Sequence, residues 1–402
     1  MALTEDDIYR TSTQYRLWSY TPEALSSLRS TTNSHAADRV RAAIRRTRDG
    51  TEATDDIDCL TAAEELAILA HFTSQCLRIA DSMQFPTNVK ATAAVYLKRF
   101  YLSNSVMTYH PKNIFPACLF LSTKTENNYI SLDRFTEKLN SIMNSKKKLT
   151  TDDVVAPEFV VTQGLRFTFD VRHPLRGLRG GLLELLAMAR GAAALLPGLD
   201  KTPQQVQKDM TDVPLPPSSA LTEVSTTRDL ENRCGQAHDK AKDILANAAL
   251  LTDVYFHYTP AQIWLAALLS VDEPLTLFYL DTKFPPATPA TSTNPTSDTI
   301  NADLVKSKVL TLIRSCAEIM SNNSTGAMPT SREELVRIDK KLYQCQNPEK
   351  RDLVALNEAV KRNGAGEGDE DADSKAAKKR KQEREKRERE GDVFGGDLKA
   401  EP

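Results

Sequence analysis

Apolar residues recur along most of this chain at the three-and-four spacing of a helix, and strand-like alternation is nearly absent. From residue 60 onward, Leu66, Leu69, Thr73, Cys76, Leu77 and Ala80 fall on one helical face. Thr61 and Glu64 form a capping box ahead of that run, each side chain satisfying an amide that a first helical turn leaves free. Thr150 with Asp153, Thr259 with Gln262 and Ser331 with Glu334 mark further starts. Pro260 stands at a first helical position, where a missing amide hydrogen costs nothing. These signals together predict an all-α protein.

The helical material divides into two groups, residues 59–169 and 170–322. Each holds a long amphipathic helix followed, after a proline turn, by an alanine-rich one. Aligning the two places Val89 opposite Ile263 and Ala93 opposite Ala267, the mark of an internal duplication. Two proline-rich polar stretches, 197–235 and 284–300, interrupt the second group and are expected to be surface insertions, because neither composition offsets its ordering entropy. Residues 1–58 hold an N-terminal helix over 12–30, with Trp18, Tyr20 and the start Thr21-Pro22-Glu23, and then a linker. Residues 323–361 carry a C-terminal helix at 331–345, with Leu335, Ile338, Leu342 and Cys345 on one side. From 362 to 402 an acidic block and a mixed-charge block predict a disordered tail.

The stretch AAVYLKRFYLSNSVMTYHPKNIFPACLFLSTKTEN, residues 93–127, is the most informative. Its small residues (Ala93, Ala94, Ala117, Cys118) suit helices buried on several faces. His110, before Pro111, reads as a helix cap. Lys124 then appears at the end of an otherwise apolar helix, and Glu158 lies in the following long helix, APEFVVTQGLRFTF, among Phe159, Val160 and Val161. A lysine and a glutamate on neighbouring helices, ringed by apolar groups, would grip a partner helix: the charges fix register and the apolar contacts supply affinity.

Composition narrows the functional classes. A net charge of -2 gives the whole molecule no reason to seek nucleic acid. The six cysteines (59, 76, 118, 234, 316, 345) form no CxxC pair and read as reduced core thiols. No apolar run approaches a membrane-spanning length, and the acidic start MALTEDDIYR does not read as a signal, so a soluble intracellular protein is expected. No phosphate-binding loop, zinc-binding HExxH or nucleophile elbow occurs, and no histidine has a ligand partner at metal-binding spacing. The expectation is a binding protein with no catalytic site, cofactor or metal.

The segments LKRFYLSNSVMTYHP (97–111), ALLTDVYFHYTPAQI (249–263), YRLWSYTPEALSSLR (15–29) and SREELVRIDKKLYQC (331–345) resemble the cyclin family, specifically its cyclin H branch. The resemblance covers most of residues 12–346. It implies two stacked five-helix cyclin-box repeats flanked by an N-terminal and a C-terminal helix. It further implies a regulatory subunit that binds and activates a cyclin-dependent serine/threonine kinase in the CDK-activating kinase module of TFIIH, in the nucleus. A RING-finger assembly subunit would be a second partner and the TFIIH core an indirect one, with no direct nucleic acid and no membrane. By the family's pattern, Lys124 and Glu158 contact the kinase, with Phe167 and Phe169 as apolar contacts beside them. The run Lys124-Thr125-Glu126-Asn127 departs from the family's usual pair of acidic residues after the lysine. A TFIIB-like cyclin-fold factor and another transcriptional cyclin, such as cyclin C, are the alternatives; the first would carry a zinc ribbon and a basic face. Lys378, Lys379, Arg380 and Lys381 read either as a nuclear import signal or as part of a solvated charged helix.

Overall fold

A computed structural model describes residues 4–47, 57–144, 148–196, 199–217, 223–284, 302–321 and 331–357. Among these residues the regular elements are all helical. The described residues up to 351 form one compact unit; of the second unit, 352–402, only 352–357 are described, and there Asp352 Oδ1 accepts from the Ala355 amide (2.9 Å) to start one short helical turn.

The N-terminal region contains α1 (Glu5–Thr11), α2 (Thr13–Trp18) and α3 (Pro22–Thr47). The single helix expected over 12–30 is therefore broken. Ser12 and Ser19 adopt extended backbone, and Ser12 caps α2 through its hydroxyl, so the chain turns between short helices. The first repeat follows: α4 (Ala62–Ser82), α5 (Thr87–Ser103), α6 (Pro111–Thr125), α7 (Leu132–Met143), and the pair α8 (Thr151–Val155) and α9 (Glu158–Gly164). Helix α5 is its axis, packed by α4, α6, α9 and α3 and buried almost continuously from Val89 to Leu102.

The second repeat comprises α10 (Leu175–Ala189), α11 (Pro203–Thr211), α12 (Thr227–Ala246), the short α13 (Ala248–Leu251) and α14 (Val254–His257), then α15 (Pro260–Val271), α16 (Glu273–Lys283) and α17 (Ala302–Ser321). Here α15 is the axis, packed by α10, α12, α16 and α17. Val89, Ala93, Ile263 and Ala267 are all fully buried, so the two alanine-rich helices occupy equivalent central places. Helix α18 (Arg332–Gln344) returns to α4 with Ile338, Leu342 and Cys345 buried, and Arg337 and Lys341 pair with Glu64.

The stretch 197–235 is not the purely surface insertion its composition predicts. Thr202 and Gln205 form a capping box on α11, and Val206 and Met210 are buried. Arg233 already belongs to α12. It pairs with Asp272 at 2.8 Å, both buried, and donates to the Val213 (2.8 Å) and Pro214 (2.6 Å) carbonyls. A guanidinium carries enough donors to hold a carboxylate and two carbonyls at once, which pins the proline segment to the core. Residues 285–301, most of the second stretch, lie outside the described residues.

Three segments meet at one carboxylate. Asp253, just before α14, receives Arg29 of α3 through two hydrogen bonds of 2.7 and 2.8 Å and lies 3.6 Å from Lys98 of α5. Lys98 also donates to the Thr252 carbonyl. Burial would raise Asp253, but the Arg29 hydrogen bonds and the Lys98 charge outweigh it and hold the carboxylate ionised. Burial lowers Lys98 to about 8, which leaves it charged at neutral pH. Beside this triad, Trp18, Leu25, Leu102 and Phe256 form one buried cluster, and the Tyr20 amide donates to the Phe256 carbonyl at 2.8 Å.

The six cysteines are all free; Cys59 is half-buried and the others are buried. Burial pushes the Cys76, Cys234 and Cys316 thiols to about 12 and Cys345 to about 11, so these groups are inert core residues.

Two stability predictions arise from these packed charges. Asp253→Asn leaves two cations without their carboxylate and should cost about 3–5 kcal/mol, read as a lowered urea midpoint at unchanged slope. Glu65 is a carboxylate that burial raises to about 6 against hydrogen bonds from Ser105 and Asn33. The native state holds that proton more tightly than the unfolded chain, so its contribution falls as pH rises from 4.5 to about 6 and stays lost above. Glu65→Gln should therefore raise stability at pH 7 by about 2 kcal/mol and flatten urea midpoints across that interval.

Candidate functional site

Helix α6 begins as its sequence predicts. His110 is the cap, its Nδ1 accepting from the Lys112 amide at 3.0 Å, and Pro111 opens the first turn. The helix is buried from Ile114 to Thr123 and emerges only in its last turn, at Lys124. There Lys124 Nζ meets Glu158 Oε1 at 2.5 Å and lies 4.5 Å from the centre of the Phe120 ring. The side chains are 45% and 21% exposed, so the pair sits at the surface. A pair of that kind contributes little to stability, which leaves its placement to be explained by what it meets.

Glu158 is not inside a long helix, as the sequence suggests, but in the first turn of the short α9. Pro157 precedes it and donates no amide hydrogen, so the helical ladder is interrupted between Val155 and Glu158. The break sets the glutamate at a helix start, where backbone amides favour a negative charge. Gly164 lets α9 close onto α5, since a Cβ there would stand 2.5 Å from the Phe100 ring.

The end of α6 is held from behind by polar groups that are half-buried or buried. Glu126, its C-cap, accepts from Asn88 Nδ2 (2.8 Å) and Thr92 Oγ1 (2.6 Å). The Thr92 hydroxyl hydrogen serves only one acceptor, so His173 Nε2, 2.8 Å away, carries the hydrogen of that second contact. His173 Nδ1 then accepts from Tyr255 Oη at 3.3 Å. Burial, with help from the Arg99 charge, lowers His173 to about 3, so the imidazole stays neutral. The chain of groups joins the second repeat to the helix end that carries Lys124.

Beyond α9 the backbone turns through two consecutive left-handed residues, Arg166 (φ 54°) and Phe167 (φ 56°). Neither is glycine, and such residues each cost on the order of 1–3 kcal/mol unless their surroundings impose them. Arg166 lies over the Trp18 ring at 5.1 Å, with Arg99 also over it at 5.0 Å. Trp18 Nε1 donates to Thr168 Oγ1 at 2.9 Å. These contacts fix the turn and leave the Phe167 ring 63% exposed. Phe169 is different: it is half-buried, edge-on to Tyr96, and its carbonyl accepts from Tyr96 Oη at 2.6 Å.

The structure thus brings Lys124 and Glu158 together, sets Phe167 at the far end of α9 and uses Phe169 largely for packing. Phe159 (62% exposed) and Val155 (40%) add to the exposed apolar surface beside Glu158. Their signal was helical phase: Val161 and Leu165 define the buried face of α9, and Phe159 falls opposite it. Lys378, Lys379, Arg380 and Lys381 lie outside the described residues. Among the described residues there is no cluster of potential metal ligands and no helix long and apolar enough to cross a membrane.

Comparison with known proteins agrees with this architecture. The family pattern described as "Cyclin, N-terminal domain" matches residues 58–170, and "Cyclin C-terminal domain" matches 173–321. The chain is 31% identical to Cyclin CCL1 of Saccharomyces cerevisiae over 393 residues, spanning 91% of this chain and 86% of that protein. Its structure is similar to a chain in the CAK complex from Chaetomium thermophilum bound to ATP-gamma-S, with a TM-score of 0.66 and 30% identity over 93% of this chain and 99% of the other. A chain of the yeast TFIIK (Kin28/Ccl1/Tfb3) complex is also similar, with a TM-score of 0.51 and 32% identity over 78% and 100%.

Strain confined to an exposed aromatic makes a direct test. Phe167→Gly relieves the left-handed backbone and removes no buried side chain, so the melting temperature should hold or rise by a few degrees. A fall would mean that the ring packs against the fold and is not a free surface.

Proposed function

This chain belongs to the cyclin family, in its cyclin H branch, and we propose that its α6–α9 surface is where it grips its kinase. The protein is a cyclin-type regulatory subunit of the CDK-activating kinase. The observation that carries the functional reading is similarity along nearly the whole chain to cyclin chains solved within kinase complexes. Its partners are a cyclin-dependent serine/threonine kinase and, by analogy with the three-subunit yeast TFIIK complex, a third assembly subunit of the RING-finger type. Contact with the TFIIH core is indirect, and the nucleus is the place of action, with Lys378–Lys381 as an import signal.

The chemistry of the surface suits this role. One Glu158 oxygen meets Lys124, which leaves its other oxygen and the remaining ammonium hydrogens to bind backbone groups of a partner helix. Phe159, Phe167 and Val155 supply apolar area on the same helix pair and the turn after it. Charge then sets register, while burial of aromatics supplies affinity. In a kinase of this class a mobile helix must bring its glutamate to the ATP-site lysine before phosphoryl transfer is efficient. A rigid surface that binds only the inward position of that helix shifts the kinase population toward the active state.

The test is capture of the kinase by wild-type protein and by Lys124→Ala/Glu158→Ala, with activity read on a polymerase C-terminal repeat peptide. The double variant should keep its melting temperature and bind more weakly by about 2 kcal/mol, roughly 30-fold. Equal binding by both proteins would move the contact elsewhere on the chain.

A further inference from the structure

On the side of the first repeat where α3, the end of α5 and residues 347–350 converge lies a polar cavity of about 360 Å³. That size falls in the ordinary range of ligand pockets. Its lining is rich in cations and donors that the fold does not use. Arg46 is neutralised by Glu349 through contacts of 2.9 and 3.1 Å, which accounts for the cavity's only acidic lining residue. Arg39 and Lys350 also line it, and neither side chain makes an ion pair or hydrogen bond among the described residues. Three cations (Arg39, Arg46 and Lys350) thus line the cavity against the single carboxylate of Glu349, and the lining is net positive.

A second observation comes from Asn347. It is buried, 6% exposed, and its Oδ1 accepts from the Glu349 amide at 2.9 Å, which fixes the amide's orientation. Its Nδ2 has no partner among the described residues and belongs to the cavity lining. With the oxygen held in this way, the Nδ2 hydrogens stay open to an acceptor entering the cavity. The Thr108 hydroxyl, on the same wall, is likewise without a partner among the described residues.

From these groups we infer that the cavity binds a phosphorylated serine or threonine side chain carried by a polypeptide. A phosphate monoester carries nearly two negative charges at neutral pH, matching Arg39 and Lys350, and its oxygens accept from an amide and a hydroxyl. The guanidinium offers a two-pronged fit to phosphate oxygens. A lone phosphate fills only part of the volume, and the remainder accommodates the carrier residue. The cavity is distinct from the Lys124–Glu158 surface, and the inference does not rest on that assignment.

The full chain would be titrated with a short blocked phosphoserine peptide, the same peptide unphosphorylated, and inorganic phosphate. Variants Arg39→Ala and Lys350→Ala would be compared with Arg41→Ala, whose guanidinium pairs with Asp38 on the same helix. The phosphopeptide should bind saturably, each cavity variant should weaken it about tenfold, Arg41→Ala should leave it unchanged, and the unphosphorylated peptide should not bind. Because these side chains are exposed and unpaired, the variants should keep the wild-type melting temperature and full kinase capture. Equal phosphopeptide binding by Arg39→Ala and wild type would overturn the site. Inorganic phosphate binding as tightly as the peptide would overturn the polypeptide carrier and leave a small-anion site. No binding of either probe would overturn both.

Discussion

The architecture depends on one largely enclosed carboxylate. Asp253 precedes α14 of the second repeat, yet its partners come from α3 in the N-terminal region (Arg29) and from the axis of the first repeat (Lys98). Taking these charged groups largely out of water is expensive, and the hydrogen bonds recover the cost only when all three arrive together. Such a cluster contributes modest net stability, and it is satisfied by the placement of α3, α5 and α14 found in this fold. The adjoining apolar cluster of Trp18, Leu25, Leu102 and Phe256 draws on the same three segments and on α2, so charge and packing favour one alignment.

That alignment matters because the candidate contact surface is assembled from parts with little stability of their own. Helix α9 is seven residues long, too short to persist without tertiary support. It is held by the close approach of Gly164 to Phe100 and by the turn that Arg166 makes over Trp18. The Trp18 ring also faces Arg99, a buried guanidinium whose Nε has no hydrogen-bond partner. The aromatic face supplies electrostatic compensation that a hydrogen bond would otherwise provide. Gln14 completes the arrangement by accepting from both Arg99 and the Arg172 amide. The N-terminal helices are therefore structural supports for the surface that carries Glu158 and Phe167.

Much of this could be read in the sequence, for reasons particular to certain residues. Capping boxes at Thr61, Thr150 and Thr259 are local chemistry, and local chemistry survives folding unchanged. The equivalence of the two alanine-rich helices was legible because small residues at matching positions let neighbouring helices pack closely around both. The candidate role of Lys124 and Glu158 came from the resemblance, since a lysine at a helix end is ordinarily solvated. What was missed is long-range. Nothing near Arg233 announces that it reaches back to Val213 and Pro214, so composition alone made a pinned strap look like a loose loop. Lys98 and Arg99, two cations inside the apolar run YLKRFYL, were the available sign of a buried polar centre. Their partners, 154 and 85 residues away for Thr252 and Gln14, could not be paired by pattern.

The buried thiols give this fold an internal clock. Because burial suppresses their thiolate form, Cys76 and Cys118 in the first repeat and Cys234 and Cys316 in the second react only when their own helices open. Half-buried Cys59 supplies the reference event at the edge of the first repeat. The order in which the six thiols become accessible to an alkylating reagent is thus a record, written by the natural sequence without any introduced label, of whether the two repeats come apart as one cooperative body or in succession.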